Sequence, residues 1–512
     1  MMKRNQKFTG LIFSAVVAWI MVQGALVLQA KGQKPPETEK PSKVAEKLNK
    51  NLALLNQWGK LPDVQQGVYK AAFNVLASKI TASYADVARD AEFQKLCEAN
   101  GIVHLGGPML GCVSPDGAKV WLRTVRPAKV EVRVMVDGVE KSFGPVESTF
   151  ESDLSAVVSI TGLRPEMRYS YRVFVDGKPL AVPADSTMVT APDDAKPGKV
   201  RIAFGSCFHQ WGLGNGKQAD LIISRKPSVL LVYGDVAVQD REHHVGYHRA
   251  DFLMRDFFPA WQRLVASVPV YADWDDHDYF NNDKSGIPPG YVKKDIESVW
   301  GVFRSAWNNP SYGFSDDRKG IFFRTRIGSC DVIMTDGRYF RKPAGEKGGT
   351  MLGDDQMKWL EDQLLACKGP FIILESGTMW SDYVSDGKDS WGMFDPAGRE
   401  RIFSFIEKNR IPGVLLISGD RHGARGFRIP RPSGYEFYEF EPASLGGRKG
   451  PPVARKEWTT QLFGIENTYA FGEFLIDAML ADPEVTFRLI SEDAKEVYKL
   501  TLKRSQLTPK AK

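Results

Sequence analysis

Five aspartates, one histidine and two amides fall within the eleven residues Asp273, Trp274, Asp275, Asp276, His277, Asp278, Tyr279, Phe280, Asn281, Asn282 and Asp283. A solvated acidic loop has no need of the interleaved Trp274, Tyr279 and Phe280, so this tract is expected to enter a partly buried site. Carboxylates cannot crowd together in a partly dry pocket without a compensating cation, whereas a di- or trimetal centre uses them as bridging and terminal ligands. Three other places pair suitable side chains with glycine turns: Gly205-Ser206-Cys207, Tyr233-Gly234-Asp235 and Gly419-Asp420-Arg421-His422. A thiolate beside imidazole and carboxylate suits iron or zinc, and carboxylate with amide oxygen suits calcium, magnesium or manganese. A mixed metal centre is the expected chemistry.

Rival chemistries fail on specific residues. A cysteine-phosphatase loop needs an arginine six residues after Cys207, and Leu213 stands there. The glycine cluster Gly212-Leu213-Gly214-Asn215-Gly216 lacks the Lys-Ser/Thr pair of a phosphate-cradling loop and reads as a turn. His244 and His248 lie at i, i+4, the spacing of zinc ligands on a helix, but Val245 replaces the glutamate such a motif needs. His104 and His209 carry no expectation beyond that of any histidine. Arg338 and Arg341 follow an apolar run, where a guanidinium pairs either with an anionic substrate or with the site's own carboxylates.

The elements that must position these groups are short apolar runs, each ending in a polar tip. Ile202 to Phe204, Val229 to Tyr233 and Val268 to Ala272 lead into the first three clusters, and Val332 to Thr335, Phe371 to Leu374 and Val414 to Ser418 repeat the form. Such runs, with helical stretches such as Gln356 to Leu365 between them, are what strands buried on both faces look like. In α/β sheets ligands gather outside the carboxyl ends of strands, so the tips should converge.

The remainder of the 512 residues frames this core. Lys+Arg (68) nearly balance Asp+Glu (62), and no dense basic block suggests nucleic acid as partner. Five cysteines without a CxxC do not make a disulfide framework. Lys3, Arg4 and Lys7 precede an apolar run from Leu11 to Leu28, so 1–30 reads as an export signal or an uncleaved anchor, and 31–43 as a polar linker. The expected location is therefore the periplasm, cell envelope or exterior, with membrane contact only through an uncleaved leader. Helical periodicity over 44–100 suggests a helical pair. Period-two segments over 105–192 suggest a β-sandwich, in which Leu163-Arg164-Pro165 followed by Tyr169 and Tyr171 is like the tyrosine corner of fibronectin type III modules. The catalytic part is expected over 200–505.

Taken in order, Gly205-Ser206-Cys207, Tyr233-Gly234-Asp235, Trp274-Asp275-Asp276-His277-Asp278, Thr335-Asp336-Gly337-Arg338-Tyr339-Phe340-Arg341, Leu352-Gly353 with Gln356 and Trp359-Leu360, and Ser418-Gly419-Asp420 with His422 resemble the PhoD-like alkaline phosphatase/phosphodiesterase family of metallophosphoesterases. The resemblance spans about 200–430. It implies a layered αββα sandwich, with Cys207, Asp235, Asp276, Asp420 and His422 as metal ligands and Asp235 bridging. It places His277 beside the metals as the catalytic histidine, and suggests Asn282 and Arg338 for substrate. Calcium with iron is the implied metal content, although Val238 stands where the family's iron-ligating tyrosine is expected, and Lys3-Arg4 replaces paired arginines in the leader. The expected function is an exported phosphoesterase acting on phosphate monoesters or diesters through a metal-activated water. The alternatives are a non-catalytic envelope-binding protein on the same scaffold and a zinc hydrolase built on His244 and His248.

Overall fold

Alternation along individual strands builds the layers. In the strand Val229–Tyr233, Leu230 and Val232 face one hydrophobic core, while Val229, Leu231 and Tyr233 face another. Both faces are covered, which explains the unbroken apolar run. The computed structural model describes residues 41–510 except 182, 184, 185, 343–348, 382–389 and 451–458; the leader and nearly all of the linker lie outside the described residues.

Two mixed sheets form the centre. The first has six strands in the order Val270–Asp273, Val229–Tyr233, Lys199–Gly205, Ala470–Asp477, Glu484–Ser491 and Glu496–Lys503. Its first three strands are parallel, and Ala470–Asp477 then joins Lys199–Gly205 antiparallel. The second has seven, in the order Phe323–Ile327, Cys330–Met334, Phe371–Ser376, Val414–Ser418, Glu436–Glu441, Ala424–Pro430 and Gln461–Ile465. The sheets pack face to face through Phe204, Phe474 and Phe487 on one side and Val332, Ile373, Ile417 and Phe440 on the other. Phe440 and Phe487 meet across this interface with ring centroids 4.3 Å apart.

Helices cover the two outer faces. Gly353–Ala366 and Pro396–Lys408 lie on the second sheet through Leu360, Leu364, Phe403 and Ile406. Val245–Phe257, Pro259–Val265 and Lys293–Ala306 cover the first. The last of these lies between the polar tips that follow Val270–Asp273 and Cys330–Met334. The resulting order, helices, sheet, sheet, helices, is the layering implied by the motifs.

Ahead of it, the helical stretch holds four helices instead of a pair: Pro41–Asn56, Asp63–Ala77, Tyr84–Arg89 and Ala91–Ala99. Local capping divides the last two, because the Ser83 side chain accepts from Asp86 N–H and Asp90 accepts from Phe93 N–H. These helices pack on Val245–Phe257, with Tyr69 against Phe257 and Phe73 against Tyr247. Residues 104–189 form two antiparallel sheets around Val120, Val132, Val158, Tyr171 and Val173. Tyr169 Oη accepts from Arg164 N–H at 2.9 Å, and Tyr171 Oη donates to Ala266 O at 2.7 Å, tying these sheets to the layered core. Among the described residues no helix is long and apolar enough to cross a membrane.

Candidate metal centre

Parallel pairing aligns the carboxyl ends of the strands. In the first sheet Val232 lies opposite Gly205 and Tyr233 opposite Asp273, and in the second Ser376 lies opposite Ser418. Immediately beyond these ends the chain turns through left-handed conformations at Cys207 (φ 55°), His209 (48°), Asp235 (55°), Asp420 (76°) and His422 (62°). Each costs an L-residue roughly 1–3 kcal/mol and persists only where the surroundings over-determine it. Here Cys207 N–H donates to Gly234 O at 3.0 Å and His209 N–H to Asp235 O at 2.8 Å. Gly234 itself has φ 83°, and a Cβ there would come within 2.4 Å of Asp275 Cβ. Asp278 gathers the N–H groups of Val236, Ala237 and Val238 at 3.3, 3.4 and 3.3 Å, fixing the loop that follows Asp235.

The tips bring together three overlapping groups of ligand atoms. Cys207, His209, Asp235 and His422 form one, Asp235, Asp276 and His277 a second, and Asp275, Asp276 and Asp420 a third, with the atoms of each within 4.8 Å of one another. Asp235 is common to the first two and Asp276 to the last two. Cys207, Asp235, Asp275 and Asp276 are buried, and His209, His277, Asp420 and His422 are partly exposed.

Burial, followed by the charge of Asp276, pushes the Asp235 carboxyl well above the ordinary carboxylate range. Burial and the neighbouring Asp235 do the same to the Cys207 thiol. Burial also works to raise Asp276, but the Arg338 guanidinium and His277 prevail and hold it below the usual range. Burial lowers His422 to about 4, with Arg448 adding to the effect, and lowers His209 to about 3, helped by His422 and His277. These two rings are therefore neutral and have lone pairs to give. Burial would lower His277 as well, but its 2.6 Å bond from Nδ1 to Asp240 and the charges of Asp235 and Asp276 carry it to about 10.

The donor set fits cations. Asp235 Oδ1 and His422 Nδ1 are buried without a hydrogen-bond partner, an arrangement that is costly unless something else binds them. The first group offers sulfur, nitrogen and carboxylate oxygen, as borderline metals such as iron or zinc require. The third offers oxygen alone, as hard cations require.

Of the residues expected from sequence, Cys207, Asp235, Asp276, His277, Asp420 and His422 all lie in these groups. Asn282 lies at the exposed rim, where its N–H donates to Asp240 Oδ1 at 3.1 Å and its side-chain amide to Asp283 at 2.8 Å. Arg338 departs from the substrate-binding expectation: it is fully buried, with Nε bonded to Asp275 Oδ1 and Nη2 4.0 Å from Asp276 Oδ1. Its charge faces the site's own carboxylates, Asp275 and Asp276.

His244 and His248 do not share a ligand site. His244 Nδ1 accepts from Tyr247 N–H at 3.1 Å as a helix cap, and His248 is buried with Nε2 2.7 Å from Glu242 O. The Gly212–Gly216 stretch is the expected turn, closed by Asn215 Oδ1 accepting from Gln218 N–H. Val238 is buried and offers no ligand, so a tyrosine's contribution is missing there.

Two residues of the site escape the sequence reading. Asp240, in the loop after Asp235, orients His277. His209 enters the first ligand group and lies in parallel stack with His422, ring centroids 5.4 Å apart. The available signal was its spacing, since Cys207-x-His209 repeats the Asp420-x-His422 arrangement at another tip.

Comparisons with known proteins agree with this geometry. The family model described as PhoD-like phosphatase matches residues 241–471, and a domain of unknown function, DUF7800, matches 103–193. Alkaline phosphatase D of Bacillus subtilis (strain 168) is 22% identical over 326 residues, which cover 53% of this chain and 53% of that protein. The chain thus spans about half the length of the curated relative it matches. The solved structure of PhoD shares the fold at TM-score 0.64 and 16% identity, covering 79% of this chain and 91% of that one. Purple acid phosphatase PPD1 from yellow lupin (Lupinus luteus) seeds does so at TM-score 0.58 and 14% identity, covering 78% and 74%. With its motifs in order on that fold, the chain carries over residues 241–471 a region that matches the PhoD-like phosphatase family.

Proposed function

We propose that this protein is a metal-dependent phosphoesterase that hydrolyses phosphate monoesters or diesters. The observation that carries the reading is the chaining of the three ligand groups through Asp235 and Asp276, an arrangement suited to neighbouring cations held by shared carboxylates. Cys207, His422 and Asp235 would hold a transition metal, and Asp235, Asp276 and Asp420 a hard cation, with iron and calcium the pair the family resemblance favours. Bound there, the ions would supply positive charge for the phosphoryl oxygens and acidity for a water.

The chain's own groups do the rest. His277, held through Nδ1 by Asp240, has Nε2 left for the leaving ester oxygen. As an imidazolium it gives that oxygen a proton while the P–O ester bond breaks and water oxygen bonds to phosphorus. Asn282, exposed beside it, is placed to donate to a phosphoryl oxygen or to the ester group. Arg338 holds Asp275 and keeps the charge of Asp276 in place.

The tip residues remain a sufficient donor set despite Val238, so the non-catalytic alternative draws no support. The basic-then-apolar leader supports export to the envelope or beyond, and the Tyr169 bond supports a fibronectin-III-like module over 105–192. The test is metal content of purified protein with turnover of para-nitrophenyl phosphate and its bis ester. Asp235→Asn is expected to lower kcat by on the order of 10³-fold; a metal-free wild type inert on both esters from pH 7 to 10 would refute the reading.

A further inference from the structure

We infer that His209 is a metal ligand, completing with Cys207, Asp235 and His422 a four-donor site for one transition-metal ion. The inference rests on the metal-dependent reading and adds to it the composition of one site. Two donors on the same ion, each 2.0–2.3 Å from it, lie at most about 4.6 Å apart. The four ligand atoms here are all within 4.8 Å, so movements of tenths of an ångström bring them onto one centre.

The imidazole is aimed by its surroundings. Gln239 Nε2 lies 2.6 Å from His209 Nδ1, which leaves Nε2 on the side of Asp235, 3.9 Å from its Oδ2. A side-chain amide at the distal nitrogen is the kind of contact that fixes the tautomer and angle of a ligating ring. A ring bonded through Nε2 must carry its proton on Nδ1, so on metal binding the Gln239 amide turns to accept it through Oε1 and gives up its 2.9 Å bond from Nε2 to Val238 O.

One loop is shaped around the set. A Cβ on Gly447 would fall 1.7 Å from His209 Cδ2 and 2.8 Å from Nε2, so only glycine leaves room for the ring. The same segment holds two other donors in place: Ser444 Oγ donates to Cys207 O at 2.7 Å, Gly447 N–H to the same oxygen at 3.0 Å, and Ser444 N–H to His422 O at 2.8 Å. Asp235 Oδ1 and His422 Nδ1, both buried and without hydrogen bonds, point independently to a bound group at this place. One thiolate, two imidazoles and one carboxylate form a set suited to zinc or iron with four protein donors.

The experiment compares wild type, His209→Ala and His209→Cys for metals bound per chain, and for the visible spectrum after loading with cobalt(II). For His209→Ala the expected result is at least about 10-fold weaker binding of the transition metal and loss of the intense four-coordinate cobalt bands, with the hard cation retained. His209→Cys, which restores a donor, should regain metal and show a second sulfur-to-cobalt band. If His209→Ala does not fold, proton resonances of the wild-type cobalt(II) protein decide, with two coordinated imidazoles expected beside the thiolate. A folded His209→Ala with wild-type metal content and spectrum, or a single coordinated imidazole, overturns the inference while leaving the phosphoesterase reading intact. A wild type that binds no metal overturns both.

Discussion

Asp240 lies outside the three ligand groups yet positions one of their members. Its carboxylate holds His277 Nδ1 at 2.6 Å and also receives the N–H of Asn282, joining His277 to the exposed rim. Asp240→Asn should therefore lower kcat by roughly 10- to 100-fold with little change in KM, because the acid is misaligned and weakened. The sign of the pH effect follows from the raised value of His277. An imidazolium acid is lost as pH rises through its pKa, so removing the Asp240 charge should shift the alkaline limb of kcat/KM to lower pH. A pH profile with an unmoved alkaline limb would assign Asp240 a purely structural part. At this scale the sequence names the residue types well, because carboxylates, a thiol and imidazoles beside glycine turns are visible in any reading of the chain. It leaves open which arginine meets substrate and which histidine meets metal, since Arg338 and His209 are decided by neighbours more than 20 residues away in sequence, namely Asp275 for the one and Gly447 for the other.

The strand tip is the next unit up, and its geometry can be broken by one methyl group. Gly234 lies at φ 83° between the buried strand Val229–Tyr233 and Asp235, with Asp275 Cβ 2.4 Å from where its own Cβ would be. Gly234→Ala should destabilise the protein by about 1–3 kcal/mol, from left-handed strain together with overpacking. It should also displace Asp235, so that metal affinity falls even in the folded fraction. Urea unfolding with metal titration checks both; an unchanged midpoint would mean that the turn relaxes without cost. The tips are legible in sequence because a strand buried on both faces needs a continuous apolar run, and the first polar residue after it marks the end. Helix division is less so: a reciprocal Ser83–Asp86 capping box and the Asp90–Phe93 capping bond restart helices locally, and the wider periodicity over 44–100 does not register them. Lys293–Ala306 is hidden in the same way, its start marked only by Asp295 reaching back to Val292 N–H.

Across the whole molecule, the centre gathers charge that the fold cannot neutralise alone. Burial and the Asp276 charge push Asp235 up, and burial and the Asp235 charge push Cys207 up, so the metal-free folded protein keeps protons that the unfolded chain gives up near ordinary pKa values. A raised folded pKa makes a contribution present below the unfolded value, about 3.9 for an aspartate, and lost as pH rises. Chelated protein should therefore lose thermal stability as pH increases from about 5 to 8, whereas metal binding, which releases those protons, should hold Tm up. The gap in Tm between loaded and chelated protein is expected to widen over that range, and calorimetry showing a constant gap would contradict it. The apolar runs, the polar tips and the metal-compatible side chains are all legible along the chain, because burial and donor chemistry are properties of residues and their near neighbours. Folding in three dimensions sets the rest: Ala470–Asp477 and its two following strands complete the first sheet, Arg338 is buried on Asp275, and His209 stands beside Cys207, Asp235 and His422. Each of these is a pairing across tens to hundreds of residues, and no local pattern encodes the partner.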